Sequence, residues 1–228
     1  MKLSPIVVLG MHRSGTSAVS MICSDLGVDM GSELLERHES NPLGHFEDLS
    51  FLRLNENILS SINRAWDAPP SKQDLEKVPE SYTEKIKALI EKHSTGKLWG
   101  WKDPRTSVLL PLYKPLLKEA RFIVCERDVD DVARSLVRRD HMTYKEAESL
   151  YNSYIHELES ALEGIDDSRI LRVNYSNLVD SPLKEVGEIA KFIEQKRDKD
   201  DIRQISEKIL KKSTVNKLAS KIVRYNKE

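Results

Sequence analysis

Short apolar runs alternate along the chain with longer amphipathic segments, and their order predicts the fold class. The apolar runs are Ile6–Leu9 and residues 97–101, 121–125 and 170–173. We interpret them as strands because they are short and rich in β-branched or aromatic residues. Helical segments separate them, so we expect an α/β fold: a P-loop-like three-layer sandwich with a central, mostly parallel sheet of four to five strands flanked by helices.

The helical segments are marked by apolar residues at spacings of three and four. The clearest example is the set Val129, Val132, Ala133, Leu136 and Val137, which lies on one helix face. We expect helices at about 15–26, 49–63, 80–93, 105–118 (kinked or split by Pro111 and Pro115), 129–137 and 144–163, and from Pro182 after Ser181 as N-cap. Residues 28–47 are predicted to be a long loop of the kind that often carries function.

Size and composition limit the function classes. The chain has 228 residues, of which 39% are hydrophobic, and this predicts one domain over residues 1–228 with a core at about 5–194 and a helical appendage at about 195–228. The net charge of -1 gives no overall attraction to nucleic acid or to anionic lipid, so an anion site must be local. No apolar run is long enough to span a membrane.

Two cysteines, Cys23 and Cys125, lie inside apolar runs. We expect both to be buried, since their spacing suggests neither a metal site nor a disulfide framework. A reducing, cytoplasmic location fits this pattern.

Residues 10–17, Gly-Met-His-Arg-Ser-Gly-Thr-Ser, stand between a buried strand and a helix. Glycines in this position let the backbone wrap an anion, while the free amides and the dipole of the helix N-terminus favour negative charge. The hydroxyls of Ser14, Thr16 and Ser17 add donors. The segment is therefore predicted to be a phosphate-binding loop.

This loop departs from that of nucleoside triphosphatases. Thr16 stands where those loops have lysine, and the cation is Arg13 instead. The strand at 121–125 is followed by Glu126 and at once by Arg127, not by an aspartate that organises magnesium. A sulfuryl group carries one charge less than a phosphoryl group and is transferred without a metal, so we expect no metal site.

Several segments together resemble the sulfotransferases that use 3′-phosphoadenosine 5′-phosphosulfate (PAPS). Residues 11–17 look like the 5′-phosphosulfate loop of bacterial and tyrosylprotein members, and Arg127 and Ser135 have the spacing of the 3′-phosphate motif. Weaker likenesses are Trp101–Pro104, Asn174–Leu178 and the Asn-Pro-x-Gly-x-x-Glu segment at 41–47. The resemblance covers about residues 5–182.

The resemblance implies PAPS as cofactor and a sulfuryl transfer to a hydroxyl or amine. It implies that the cofactor is bound by His12, Arg13, Ser14, Gly15, Thr16, Ser17, Arg127 and Ser135. The residues agree, because Arg127 closes an interior strand, where doubly wound folds place ligand groups. Ser135 also lies outside the apolar stripe of its helix, so its hydroxyl is not required by the core.

Sulfuryl transfer needs cations at the leaving phosphate and a base for the acceptor. Arg13 and Lys102 are the expected catalytic cations, and Glu47 is our first choice as the base. No histidine follows Lys102, so Asp103, His45 and Glu33 remain alternatives. Core or rim packing is the favoured interpretation of the three tryptophans, Trp66, Trp99 and Trp101, and stacking on adenine or on a sugar acceptor is the alternative.

Other interpretations stay open at this point. A nucleotide-dependent phosphotransferase or kinase with a variant loop is one, and a non-catalytic nucleotide-binding relative is another. The segment Lys211–Thr214 is a candidate for closing over the 3′-phosphate. The acceptor is expected to be a small molecule or a carbohydrate, while a tyrosyl peptide and a lipid stay open as alternatives. Nucleic acid is not expected as a partner.

Overall fold

A computed structural model describes residues 4–36, 44–94 and 96–210. Its centre is a four-stranded parallel sheet in the order β2-β1-β3-β4. The strands are β1 (Ile6–Leu9), β2 (Gly100–Lys102), β3 (Arg121–Glu126) and β4 (Ile170–Asn174). The predicted α/β class and the mostly parallel sheet are thus confirmed.

Between Thr16 and Phe192, nine helices of the described part of the chain connect and flank the strands. They are α1 (Thr16–Asp25), α2 (Leu49–Ser61), α3 (Lys72–Leu75), α4 (Ser81–His93), α5 (Pro104–Tyr113), α6 (Val129–Asp140), α7 (Tyr144–Leu162), α8 (Tyr175–Asp180) and α9 (Pro182–Phe192). Residues 199–210 are also helical. None of these helices combines the length and the apolar content that a membrane crossing requires.

Two apolar clusters cover the two faces of the sheet because successive side chains of a strand point to opposite faces. Val7 and Leu9 join α2, α4, α5, α6 and α7 in one cluster. Ile6 and Val8 join α1, α9 and the helical residues 199–210 in the other. The site described below therefore has one wall from each helical layer.

The predicted tail at 195–228 is only partly described. Ile205 and Ile209 are buried in the cluster with α1 and α9, and Lys208 pairs with Asp25 of α1. Residues 199–210 therefore pack on the core as an integral layer. The rest of the tail, with the Lys211–Thr214 segment, lies outside the described residues.

Several local predictions need correction. Strand β2 is shifted to Gly100–Lys102, because Trp99 instead forms an isolated bridge with Asp29. The helix predicted at 105–118 ends at Tyr113, and a 3-10 turn over Lys114–Leu116 follows it. Ser181 does precede α9, but its side chain makes no capping hydrogen bond. Helices α3 and α8 were not predicted because each is too short for a helical repeat.

Trp99, Trp101 and both cysteines lie in the core, as predicted. Trp101 stacks on Phe51 with ring centroids 4.4 Å apart, and its Nε1 donates to Thr106 Oγ1. Burial raises the pKa of Cys23 to about 12, so this thiol is not ionised at neutral pH.

Gly100 allows β2 to approach β1. A Cβ at this position would lie 2.1 Å from the backbone oxygen of Ile6. We expect Gly100→Ala to lower the free energy of unfolding by about 1–3 kcal/mol, because the strands must separate. Urea denaturation measures this. Gly187→Ala in α9, where an added Cβ meets nothing within 4 Å, is the control and should not destabilise the protein.

Candidate active site

A polar cleft opens at the carboxyl ends of the strands. This is the edge at which parallel α/β sheets bind ligands, because the loops that follow neighbouring strands meet there. Its walls come from the loop after β1, the segment before α2, the ends of β2 and β3, and helices α1, α6 and α8. The predicted site residues after β1, β2 and β3 are thus brought together.

Backbone conformation shapes the loop at 10–17. Gly15 is the N-cap of α1 with φ 102, and a Cβ there would meet the Tyr175 ring at 2.5 Å. Arg13 also has a positive φ of 71. The loop is tied to α5, since the Gly10 amide donates to Ser107 Oγ at 2.9 Å. The loop is therefore a preformed turn against a helix N-terminus.

Ser14 differs from the other loop hydroxyls. Its Oγ donates to the Met11 carbonyl at 2.7 Å, and the residue is buried below the cleft. The predicted role of this hydroxyl as a ligand donor is thus not the one that the structure shows. Ser14 holds the turn closed, while Thr16 and Ser17 line the cleft.

The two predicted phosphate-binding segments contact each other directly. Arg13 Nε donates to Ser135 Oγ at 2.8 Å, and Arg127 Nη1 donates to the Arg13 carbonyl at 3.1 Å. The guanidinium of Arg127 lies 4.6 Å from the centre of the Tyr175 ring. Its buried Nε has no hydrogen-bond partner within the described residues, so a donor is left for a ligand.

Positive charge is concentrated in the cleft. The cations that line it are Arg13, Lys102, Arg127 and Arg139. Burial, with Arg139 and Arg127 nearby, lowers the pKa of Arg13 to about 10. Burial and the surrounding cations also hold the pKa of His12 well below its usual range, so this imidazole is neutral at pH 7. Such mutual repulsion is relieved when an anion binds.

Glu47 and Lys102 form a buried ion pair in the cleft. Lys102 Nζ donates to Glu47 Oε1 at 2.5 Å, and the side chains are 2% and 6% exposed, respectively. Lys102 also donates to the His45 carbonyl at 3.1 Å, and Arg105 Nη1 lies 3.9 Å from Glu47 Oε2. The proposed base and the second catalytic cation are therefore positioned by one network.

The alternative bases occupy different places. Asp103 is fully buried as the N-cap of α5, where it accepts from Asn55 Nδ2 and Arg105 Nη1. Burial raises the pKa of Asp103 although Arg105 opposes this shift. Asp103 and Glu33 do not line the cleft, and Glu33 is exposed, whereas His45 does line it. Glu47 and His45 are thus the better-placed candidates.

Three residues near the site were not among the predicted site residues: Arg139 was not singled out, Tyr175 was only part of the Asn174–Leu178 likeness, and Trp66 was interpreted as packing. Tyr175 and Arg139 line the cleft, and Trp66 contacts the side chains of His12 and Arg139. Tyr175 directly follows β4, and ligands of parallel sheets bind where the strands end. Arg139 lies four residues after Ser135 on α6, so the two residues share a helix face. Both positions could therefore have been predicted from the sequence. No sequence rule places Trp66, because it lies in a turn after α2.

Comparison with known proteins identifies the class. The model of the sulfotransferase family matches residues 5–199. The sulfotransferase domain of the Synechococcus PCC 7002 olefin synthase has a TM-score of 0.58 and 20% identity, over 88% of this chain and 76% of that one. The corresponding domain from the curacin biosynthetic pathway has a TM-score of 0.57 and 16% identity, over 90% and 78%.

A sulfotransferase from Alicyclobacillus acidocaldarius has a TM-score of 0.53 and 11% identity, with 92% of each chain covered. No curated protein matches the chain significantly. The match over most of the chain shows that it belongs to the sulfotransferase family. It is a sulfotransferase enzyme, and the family implies PAPS as its sulfuryl donor.

The cleft fits such a donor. PAPS carries a 5′-phosphosulfate and a 3′-phosphate, so it needs two anion sites within one nucleotide length. Residues of the loop at 12–17 and Lys102 line one part of the cleft and Arg127 lines another, with Ser135 buried beside it where it accepts from Arg13. The unpartnered Arg127 Nε is a donor of the kind that a phosphate oxygen would satisfy.

Proposed function

We propose that the chain transfers the sulfuryl group of PAPS to a hydroxyl or amine of a small-molecule or carbohydrate acceptor in this cleft. The observation that carries the proposal is the grouping of three cations, Arg13, Lys102 and Arg127, around a phosphate-type loop, where burial together with neighbouring cations lowers the pKa of Arg13 to about 10. A neutral ligand would leave this repulsion in place, whereas a polyanionic donor removes it.

In this proposal the loop from His12 to Ser17 binds the 5′-phosphosulfate through its amides and the hydroxyls of Thr16 and Ser17. Arg127 and Ser135 bind the 3′-phosphate. The contact between Arg13 and Ser135 supports this assignment, because it places the two anion sites side by side. The Tyr175 ring lies against both Arg127 and Gly15 of the loop, so it fixes their relative positions.

The donor supplies an activated sulfuryl group, and the chain supplies charge and a base. Arg13 holds oxygen atoms of the leaving phosphate with its planar guanidinium, and Lys102 adds a second positive charge. Glu47 accepts the proton of the acceptor. The contact between Glu47 and Lys102 supports these roles of cation and base. A bound anion that attracts Lys102 would free the Glu47 carboxylate to accept a proton.

Thermal unfolding tests the proposal. Adenosine 3′,5′-bisphosphate (PAP), added without metal, should raise the melting temperature, because a ligand that binds only the folded state stabilises it. ATP with magnesium should have a much smaller effect. If only ATP with magnesium stabilised the protein, a phosphotransferase would replace our proposal. If PAP bound but no acceptor in a broad panel were sulfated, a non-catalytic relative would be indicated.

The role of Arg127 gives a sharper prediction. We expect Arg127→Ala to weaken PAP binding on the order of 10- to 100-fold, which corresponds to the loss of a charge-assisted hydrogen bond. Binding of AMP, which lacks the 3′-phosphate, should change far less. Calorimetric titration measures both, and Arg134→Ala on the exposed side of α6 is the control. Equal losses for PAP and AMP would contradict the assignment.

We also propose that the chain works as one domain in the cytoplasm. The two unpaired thiols support this location, since Cys23 and Cys125 are both free and buried.

A further inference from the structure

The side chains on one side of the cleft are not assigned to the donor by the proposed function. His12 and Arg139 line the cleft there, and Trp66 and Tyr154 pack behind the His12 ring; we call these four residues the α6–α7 wall. Tyr154 belongs to the apolar cluster of α6 and α7, on the sheet face opposite α1. The Tyr154 hydroxyl donates to the Trp66 carbonyl at 2.9 Å, so the wall is fixed to α7.

Arg139 is held in place but keeps hydrogen-bond donors available. Its guanidinium lies 5.2 Å from the centre of the Trp66 ring, and Nε donates to Asp140 Oδ2 at 2.6 Å. Within the described residues Nη1 and Nη2 make no hydrogen bond, although Arg139 lines the cleft. A guanidinium that is held through Nε and keeps both Nη groups available can bind a carboxylate or a similar anion with two parallel hydrogen bonds.

His12 is the second polar group of this wall. Its ring packs 4.8 Å from Trp66 and 6.0 Å from Tyr154, measured between ring centres, and only 9% of the residue is exposed. Its buried Nε2 has no hydrogen-bond partner within the described ranges. A buried nitrogen without a partner carries a free-energy penalty, which a hydroxyl bound in the cleft would remove.

The anionic groups of PAPS do not account for these two side chains. The loop amides, Arg13 and Lys102 are assigned to the phosphosulfate, and Arg127 with Ser135 to the 3′-phosphate. Arg139 lies one helical turn beyond Ser135, on the side where α6 meets α7 and Trp66. A fourth cation beside a polar nitrogen therefore remains for the second substrate.

We propose that the α6–α7 wall binds the acceptor and that Arg139 selects acceptors with an anionic group, such as a carboxylate, near the reacting hydroxyl. This inference rests on the proposed function, because it takes the rest of the cleft as the PAPS site. His12 contributes a hydrogen bond to the acceptor through its side chain, while its backbone remains part of the loop. Trp66 positions both residues by packing against them.

Binding to the enzyme saturated with PAP tests this inference. The probes are two matched pairs, phenol with 4-hydroxybenzoate and methyl glucoside with methyl glucuronide, titrated by calorimetry or ligand-observed NMR. We expect the carboxylated member of at least one pair to bind about tenfold or more tightly, since charge-assisted hydrogen bonds contribute at least that much. Arg139→Gln should abolish the preference, and Arg139→Lys should restore part of it.

The matched control is Arg134→Gln, the same change at an exposed position of α6, which should keep the preference. PAP affinity should stay the same in both variants. A large loss of PAP affinity in Arg139→Gln would assign Arg139 to the donor and overturn the inference. So would equal binding of both members, or no binding of either carboxylated probe. Failure of the wild-type enzyme to bind PAP would instead refute the proposed function.

Discussion

Replacing Glu47 with glutamine is expected to lower kcat by about 10²- to 10⁴-fold, the usual contribution of a positioned general base. The amide is isosteric and its oxygen still accepts from Lys102, so the cleft should keep its shape. PAP affinity should therefore be almost unchanged. The measurement is transfer from PAPS to the best acceptor in a panel of phenols and sugars.

The control for this variant is Glu126→Gln, which changes an exposed carboxylate paired with Arg172 at the end of β3. Its turnover should equal that of the wild type. Unchanged turnover in Glu47→Gln would move the base elsewhere, and His45 would then be the next candidate because it also lines the cleft. A loss of PAP affinity with normal kcat would make Glu47 a binding residue.

Replacing Asp103 with alanine is expected to lower the free energy of unfolding by about 3–5 kcal/mol, because Arg105 loses the fully buried one of its carboxylate partners. The change also removes the N-cap of α5 and a bond from Asn55, whose Oδ1 accepts from the Tyr113 hydroxyl. Urea denaturation at pH 7 measures the effect.

Two further variants show whether this loss comes from the buried network. Asp103→Asn keeps an oxygen for the cap and should lose less than the alanine variant. Glu56→Gln removes the other, half-exposed partner of Arg105 and should cost less than about 1 kcal/mol. If Asp103→Ala were as stable as the wild type but inactive, Asp103 would be a catalytic residue instead of a structural one.

Glu47 and Asp103 differ in position: Glu47 lines the cleft, whereas Asp103 lies in a buried network beneath it. Arg105 contacts Asp103 at 2.9 Å and Glu56 at 3.0 Å, and it lies 3.9 Å from Glu47. It therefore joins the structural network below the cleft to the proposed base within it. Both Asp103 and Glu47 were candidate bases in the sequence, but of these two only Glu47 borders the cleft.

The sequence by itself determined the sheet, the helical layers and the loop. Buried β-branched runs and helical spacings are local signals, so β1, β3, α6 and α7 were predicted within a few residues. The phosphate-type loop could also be predicted from the sequence, because a glycine-rich turn between a strand and a helix is defined by consecutive residues. The nearness of Arg127 and Ser135 was also predictable, since Arg127 directly follows β3 and Ser135 lies in the next helix, α6.

Only the tertiary structure decided how these side chains divide the cleft. It turned Ser14 inward to its own loop, placed Asp103 beneath the site and joined Glu47 to Lys102 across 55 positions of sequence. It also brought Trp66 against His12 and Arg139. Such contacts depend on how the helices pack above the strand ends, and no local pattern of residues encodes the side of a cleft to which a side chain turns.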